Sequence, residues 1–127
     1  MSIIKVDYGE VGGVSGNTLM LFSVSASGIS SNEFYNEDLL TYVSGTISNT
    51  SGKPDATFTS KVSGKLSIFI NNGDNAGESY VSINGTEVCA VQGSPYKKNV
   101  IDIPISSGDA IRITSTAYYV DIIIMLQ

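Results

Sequence analysis

The sequence predicts an all-β fold, an antiparallel β-sandwich of jelly-roll-like form with about eight or nine strands, and three observations support this. Val and Ile number 26 against 12 for Leu and Ala, a bias toward side chains that suit a pleated, half-buried surface. Short runs of alternating apolar and polar residues recur at roughly 8–12-residue spacing between Gly, Asn, Ser and Asp turns. No stretch keeps a helical period long enough to cross between parallel strands. The 127 residues suffice for one such domain and not for two.

Residues 1–18 form an expected N-terminal arm, punctuated by Gly9, Gly12, Gly13 and Gly16, and residues 19–127 form the sandwich. Those glycines match neither a dinucleotide fingerprint nor a P-loop. Leu19–Val24 is the first strand. Asn32–Leu40 reads either as one capped helical turn or as a loop bearing Phe34 and Tyr35. Thr41–Ile47 is a strand and 49–55 a loop. In the next strand Ala56, Phe58 and Val62 share a face opposite Thr57, Thr59 and Lys61. Ser63-Gly64 leads into a strand whose Leu66, Ile68 and Ile70 face one way. After the 71–77 loop, Ser79–Ile83 and Glu87–Val91 pair across Asn84-Gly85, the dipeptide of tight type I′ hairpins. Ile101, Ile103 and Ile105 share a face of the following strand. Ser107-Gly108-Asp109 then turns into a strand with Ile111 and Ile113 inward.

The last strand, Tyr118–Leu126, is apolar on both faces. Val120, Ile122, Ile124 and Leu126 make one; Tyr119, Ile123 and Met125, interrupted by Asp121, make the other. The first strand also offers two apolar faces, Leu19 and Leu21 against Met20, Phe22 and Val24. A second apolar face has no partner inside a two-layer sandwich, and exposed apolar stripes mark interfaces. The sequence therefore predicts a homo-oligomer with Tyr119, Ile123, Met125, Met20 and Phe22 at its interface. The competing expectation is that an arm or long loop covers the stripe.

The chemistry left open is narrow. His and Trp are absent and Cys89 is the lone cysteine, which removes His-dependent triads, His-ligated metals, zinc fingers and disulfide scaffolds. Cys89, in an apolar run, reads as a buried thiol. A net charge of −5 disfavours nucleic acid. No apolar run approaches a membrane span, so no membrane insertion is expected. No basic-then-apolar leader opens the chain, so synthesis in the cytoplasm without a signal peptide is expected, and the sequons at Asn49 and Asn84 carry no glycan. Asp74, Glu78, Asp102, Asp109 and Asp121 read as loop or outward positions rather than a catalytic pair, and 71–78 departs from the calcium-loop spacing at Ala76. The expectation is a protein that is not an enzyme and needs no cofactor or metal. Sugar contact remains, through exposed rings among Tyr35, Tyr80, Tyr96 and Tyr118.

Two segments carry a resemblance. The opening Asp7-Tyr8-Gly9-Glu10-Val11-Gly12-Gly13 resembles small structural proteins of tailed bacteriophages and prophages. The closing Ile103-Pro104-Ile105-Ser106-Ser107-Gly108-Asp109-Ala110-Ile111-Arg112-Ile113, with the aromatic-aliphatic strand after it, is similar to the ends of tail-fibre and other C1q/TNF-like jelly-roll modules. The resemblance implies a virion component: a receptor-binding tip, head fibre or capsid decoration. It also implies a homotrimer with the last strand near the axis, an arm docking to other virion proteins, and loops facing the host, where a surface glycan is one partner. No individual binding residue carries over from it. The alternative function is a monomeric carbohydrate-binding β-sandwich module.

Overall fold

A computed structural model describes residues 16–24, 31–46, 54–73, 77–117 and 119–127. Ten strands are present among them: β1 (Thr18–Val24), β2 (Ser31–Tyr35), β3 (Leu40–Thr46), β4 (Asp55–Ser60), β5 (Gly64–Asn72), β6 (Glu78–Ile83), β7 (Thr86–Gln92), β8 (Lys97–Ile105), β9 (Ala110–Ser115) and β10 (Val120–Leu126). They pair, antiparallel throughout, into two five-stranded sheets. Sheet one runs β2-β1-β10-β5-β8 and sheet two runs β3-β4-β9-β6-β7. Most neighbours in these orders are distant in sequence, as in a jelly roll, and the sequence-predicted fold class holds.

The core lies between the sheets and follows from period-two alternation. Ile122 and Ile124 of β10 face Ile68 and Ile70 of β5 across the ladder, and all four are fully buried. From sheet two, Phe58, Val81, Ile111 and Ile113 close the other side. The rings of Tyr35 and Tyr42 flank Phe58, with centroids 5.3 and 5.9 Å away, a spacing that suits tilted and edge-on aromatic pairs.

The sheets are also joined by a buried polar cluster. Asn72, at the end of β5, donates through Nδ2 to the carbonyls of Gly77 (3.0 Å) and Val91 (3.4 Å). Its Oδ1 accepts from the Ser79 hydroxyl at 2.5 Å, and Ser79 meets Ser115 at 2.7 Å. Ser115 Oγ then accepts from the Ala117 amide at 3.0 Å. Burial here costs little because the polar atoms find one another.

Three expectations need correction. Residues 31–35 are a strand, with neither a helical turn nor a loop there; the turn comes at 36–39, where Asn36 caps itself by accepting from the Asp38 amide (2.9 Å). Ile101 does not share the inward face of Ile103 and Ile105. The β5–β8 register slips between Leu66 and Ile68, Asp102 sits at φ +60°, and Ile101 is turned out, 61% exposed. Met20 and Phe22 are core residues, 1% and 0% exposed, and so do not line an outer interface. A register shift between Thr18 and Met20 lets Leu19 and Met20 both bury, and Leu21 becomes the outward apolar residue of β1.

Candidate functional site

The two sheets present outer faces of opposite chemistry. On sheet one, a single cross-strand row joins Phe34 of β2 to Leu21 of β1, Ile123 of β10, Phe69 of β5 and Asn99 of β8. Four of the five side chains are apolar, and at ~4.8 Å per strand they form a belt roughly 14 Å long. Leu21, Ile123 and Phe69 are half-buried and stand outside the main core, as does Phe34, which is 8% exposed. Met125 extends the belt on one side, opposite Ser67. On the other side lies a polar row, Ser23–Asp121–Asn71–Lys97. Asp121 accepts from Ser23 Oγ at 2.5 Å and from Asn71 Nδ2 at 3.4 Å, so the aspartate that interrupts the apolar stripe is held by its own neighbours.

Ile123 and Met125 are thus where the sequence placed them, facing out from β10. Tyr119 precedes that strand and is half-buried against the core, with its carbonyl accepting from the Gly73 amide at 2.7 Å. Sequence reasoning missed Leu21, Phe69, Phe34 and Ile101. Phe69 was within reach, because Leu66, Ile68 and Ile70 inward leave it outward. Leu21 was within reach too, since it alternates with Met20 and Phe22, whereas the register shift that turns Ile101 out has no local signature.

The outer face of sheet two is polar. Thr57 of β4, Arg112 of β9, Ser82 of β6 and Glu87 of β7 form one outward row. Asp55, Thr114, Tyr80 and Ala90 form the next. The first row, with Tyr80, Thr114, Gly85 and Ala110, lines an open depression of about 470 Å³. Arg112 donates to both carboxylate oxygens of Asp55 at 3.0 Å, a bidentate pair that holds the guanidinium proton more tightly than usual. The Tyr80 hydroxyl donates to Glu78 (2.7 Å) and accepts from Gln92 (3.2 Å). That bond to Glu78, with partial burial and the charges of Glu78 and Glu87, raises the Tyr80 phenol above its ordinary value.

The other expected sugar contacts separate. Tyr35 packs on Phe58, and Tyr96 stands free at 42% exposure beside the β7–β8 edge. Tyr118 lies outside the described residues, as do residues 1–15 of the expected arm. Of the expected arm's last residues, Asn17 exchanges bonds with the chain end, its Nδ2 donating to the Leu126 carbonyl and its carbonyl accepting from the Leu126 amide, both at 2.7 Å. Cys89 is buried, and that burial raises its thiol above the usual range against the opposing charge of Lys98.

No family model matches this chain. No curated protein matches it either. Among solved structures, GITRL from pika is similar over 87% of this chain and 97% of its own, at 14% identity and a TM-score of 0.47. GITRL from bushbaby is similar over 84% and 93%, at 9% identity and a TM-score of 0.48.

Proposed function

We infer that this chain is a non-enzymatic module that associates with copies of itself, as a trimer, through the outer face of sheet one, and that it serves a tailed-phage particle in host-surface attachment or in capsid or tail decoration. The observation that carries the reading is the Leu21–Ile123–Phe69 row, a contiguous apolar surface on a face against which no third layer packs among the described residues. A natural counterpart is on the same molecule. Ile101 projects from edge strand β8, 61% exposed, held out by the Asp102 backbone and by a reciprocal clamp. In that clamp the Asp102 amide donates to Gln127 Oε1 (2.6 Å) and Gln127 Nε2 donates to Asp102 Oδ1 (2.9 Å). An edge knob meeting a face belt is a head-to-tail contact, which makes a ring when the rotation between copies closes. Three copies and the particle role rest on the resemblance of residues 7–13 and 103–113.

The test is native mass spectrometry of the whole chain and of Ile123→Lys, with circular dichroism as the fold control. The expected result is a trimer that becomes a folded monomer in the variant, since a charge in a desolvated apolar contact has no partner. A monomeric parent, or a variant that keeps the parent mass, overturns the interface. The virion role predicts peptides of this chain in purified phage particles, and their absence overturns that part.

A further inference from the structure

We propose that the depression on the outer face of sheet two is a saccharide-binding site for a neutral hexopyranose, with Tyr80 as its stacking platform and Glu87, Arg112 and Thr57 as its polar contacts. The site lies within one chain and does not depend on how copies associate.

The argument begins with spacing. The two outward rows lie two residues apart along their strands, roughly 7 Å, and neighbouring side chains in a row are ~4.8 Å apart, a grid on which one pyranose ring fits. Tyr80 has short neighbours on both sides, Ala90 on β7 and Thr114 on β9. Its hydroxyl is tied back to Glu78 and Gln92, one row further along, so the ring lies along the sheet with one end anchored. An aromatic ring held in this way offers a flat surface to the C–H face of a sugar at little cost in side-chain entropy.

The polar groups around it are available. Among the described residues, the Thr57, Ser82 and Thr114 hydroxyls and the Glu87 carboxylate make no side-chain hydrogen bonds. Arg112 spends only two of its five donors on Asp55, which fixes the guanidinium plane and leaves the rest for a ligand.

Charge decides against other ligands. Asp55 offsets Arg112, while Glu78 and Glu87 remain, so the charges around Tyr80 sum to a net negative. A phosphate or nucleic acid is repelled there. The depression is open and shallow, which disfavours an apolar ligand that needs enclosure. A flat ring among hydroxyls, one carboxylate and one oriented guanidinium matches the alternating C–H and O–H faces of a neutral sugar.

The test is saturation-transfer-difference NMR on the whole chain with methyl glycosides of glucose, galactose, mannose and N-acetylglucosamine. At least one is expected to give signals, with binding weakened about tenfold or more by Tyr80→Ala and unchanged by Tyr96→Ala. Glu87→Ala, at an exposed strand position, is the second variant and decides the matter if Tyr80→Ala fails to fold. Absence of signal from all four sugars overturns the proposal. So does binding that survives Tyr80→Ala, or Glu87→Ala where that variant decides.

Discussion

Replacing Asn72 with alanine tests whether the buried polar cluster clamps the two sheets. The Asn72 side chain is the only member contributed by β5 of sheet one, and its three bonds reach Gly77, Val91 and Ser79 on the side of sheet two. The variant strands the Gly77 carbonyl in a buried site, which costs about 1–3 kcal/mol. The 3.4 Å bond to Val91 adds only a fraction of that. Ser79 loses an acceptor yet keeps Ser115, for about 1 kcal/mol more. The sum is roughly 3 kcal/mol, a large part of the 5–15 kcal/mol that holds a typical domain. At about 4 °C per kcal/mol for a domain of this size, Tm falls by roughly 12 °C. The assay is thermal and urea unfolding followed by circular dichroism, at one protein concentration so that self-association stays constant. A loss below about 1 kcal/mol refutes the clamp and means that water replaces the amide at no cost.

Two other perturbations check local arguments. A methyl added at Gly77 meets backbone atoms of Ala117 at 2.3–2.4 Å, so Gly77→Ala should destabilise by more than about 2 kcal/mol, measured by the same unfolding curves. Asp109 accepts from Asn84 Nδ2 (3.0 Å) and the Ser106 amide (2.9 Å), which together hold its carboxyl below the ordinary 3.8. Its contribution is therefore present above the unfolded value and lost as pH falls through the lower folded one. Carboxyl titration by NMR should show Asn84→Ala moving the Asp109 midpoint upward.

What the sequence could show was decided by how local each cause is. Alternation in β4, β5, β6, β9 and β10 is a local property, and the inward residues Phe58, Ile68, Val81, Ile111 and Ile122 could be read directly. The Asn84-Gly85 hairpin was legible for the same reason, with φ of +51° and +84° at its two central residues. β2 was hidden because its five residues include Ser, Asn and Glu, and its strand state comes from pairing with β1. Register shifts were invisible as well. One brings Leu19 into the core beside Met20, and another turns Ile101 into solvent, each set by a partner strand remote in sequence.

The two outer faces follow from one constraint. A two-layer sandwich needs one apolar face per sheet, and sheet two obeys it: Thr57, Thr59, Ser82, Arg112 and Thr114 fill the outward positions of its central strands. Sheet one departs from it at matched places on neighbouring strands, where Leu21, Ile123 and Phe69 stand in one register row. Apolar residues scattered singly over a surface need no explanation, but three in a row across the ladder make a surface. The alignment depends on strand pairings that join residues 102 and 54 positions apart. On the reading proposed above, the apolar patch of sheet one meets another copy of the chain, and the hydroxyls, carboxylate and tied tyrosine of sheet two are left free to meet a sugar.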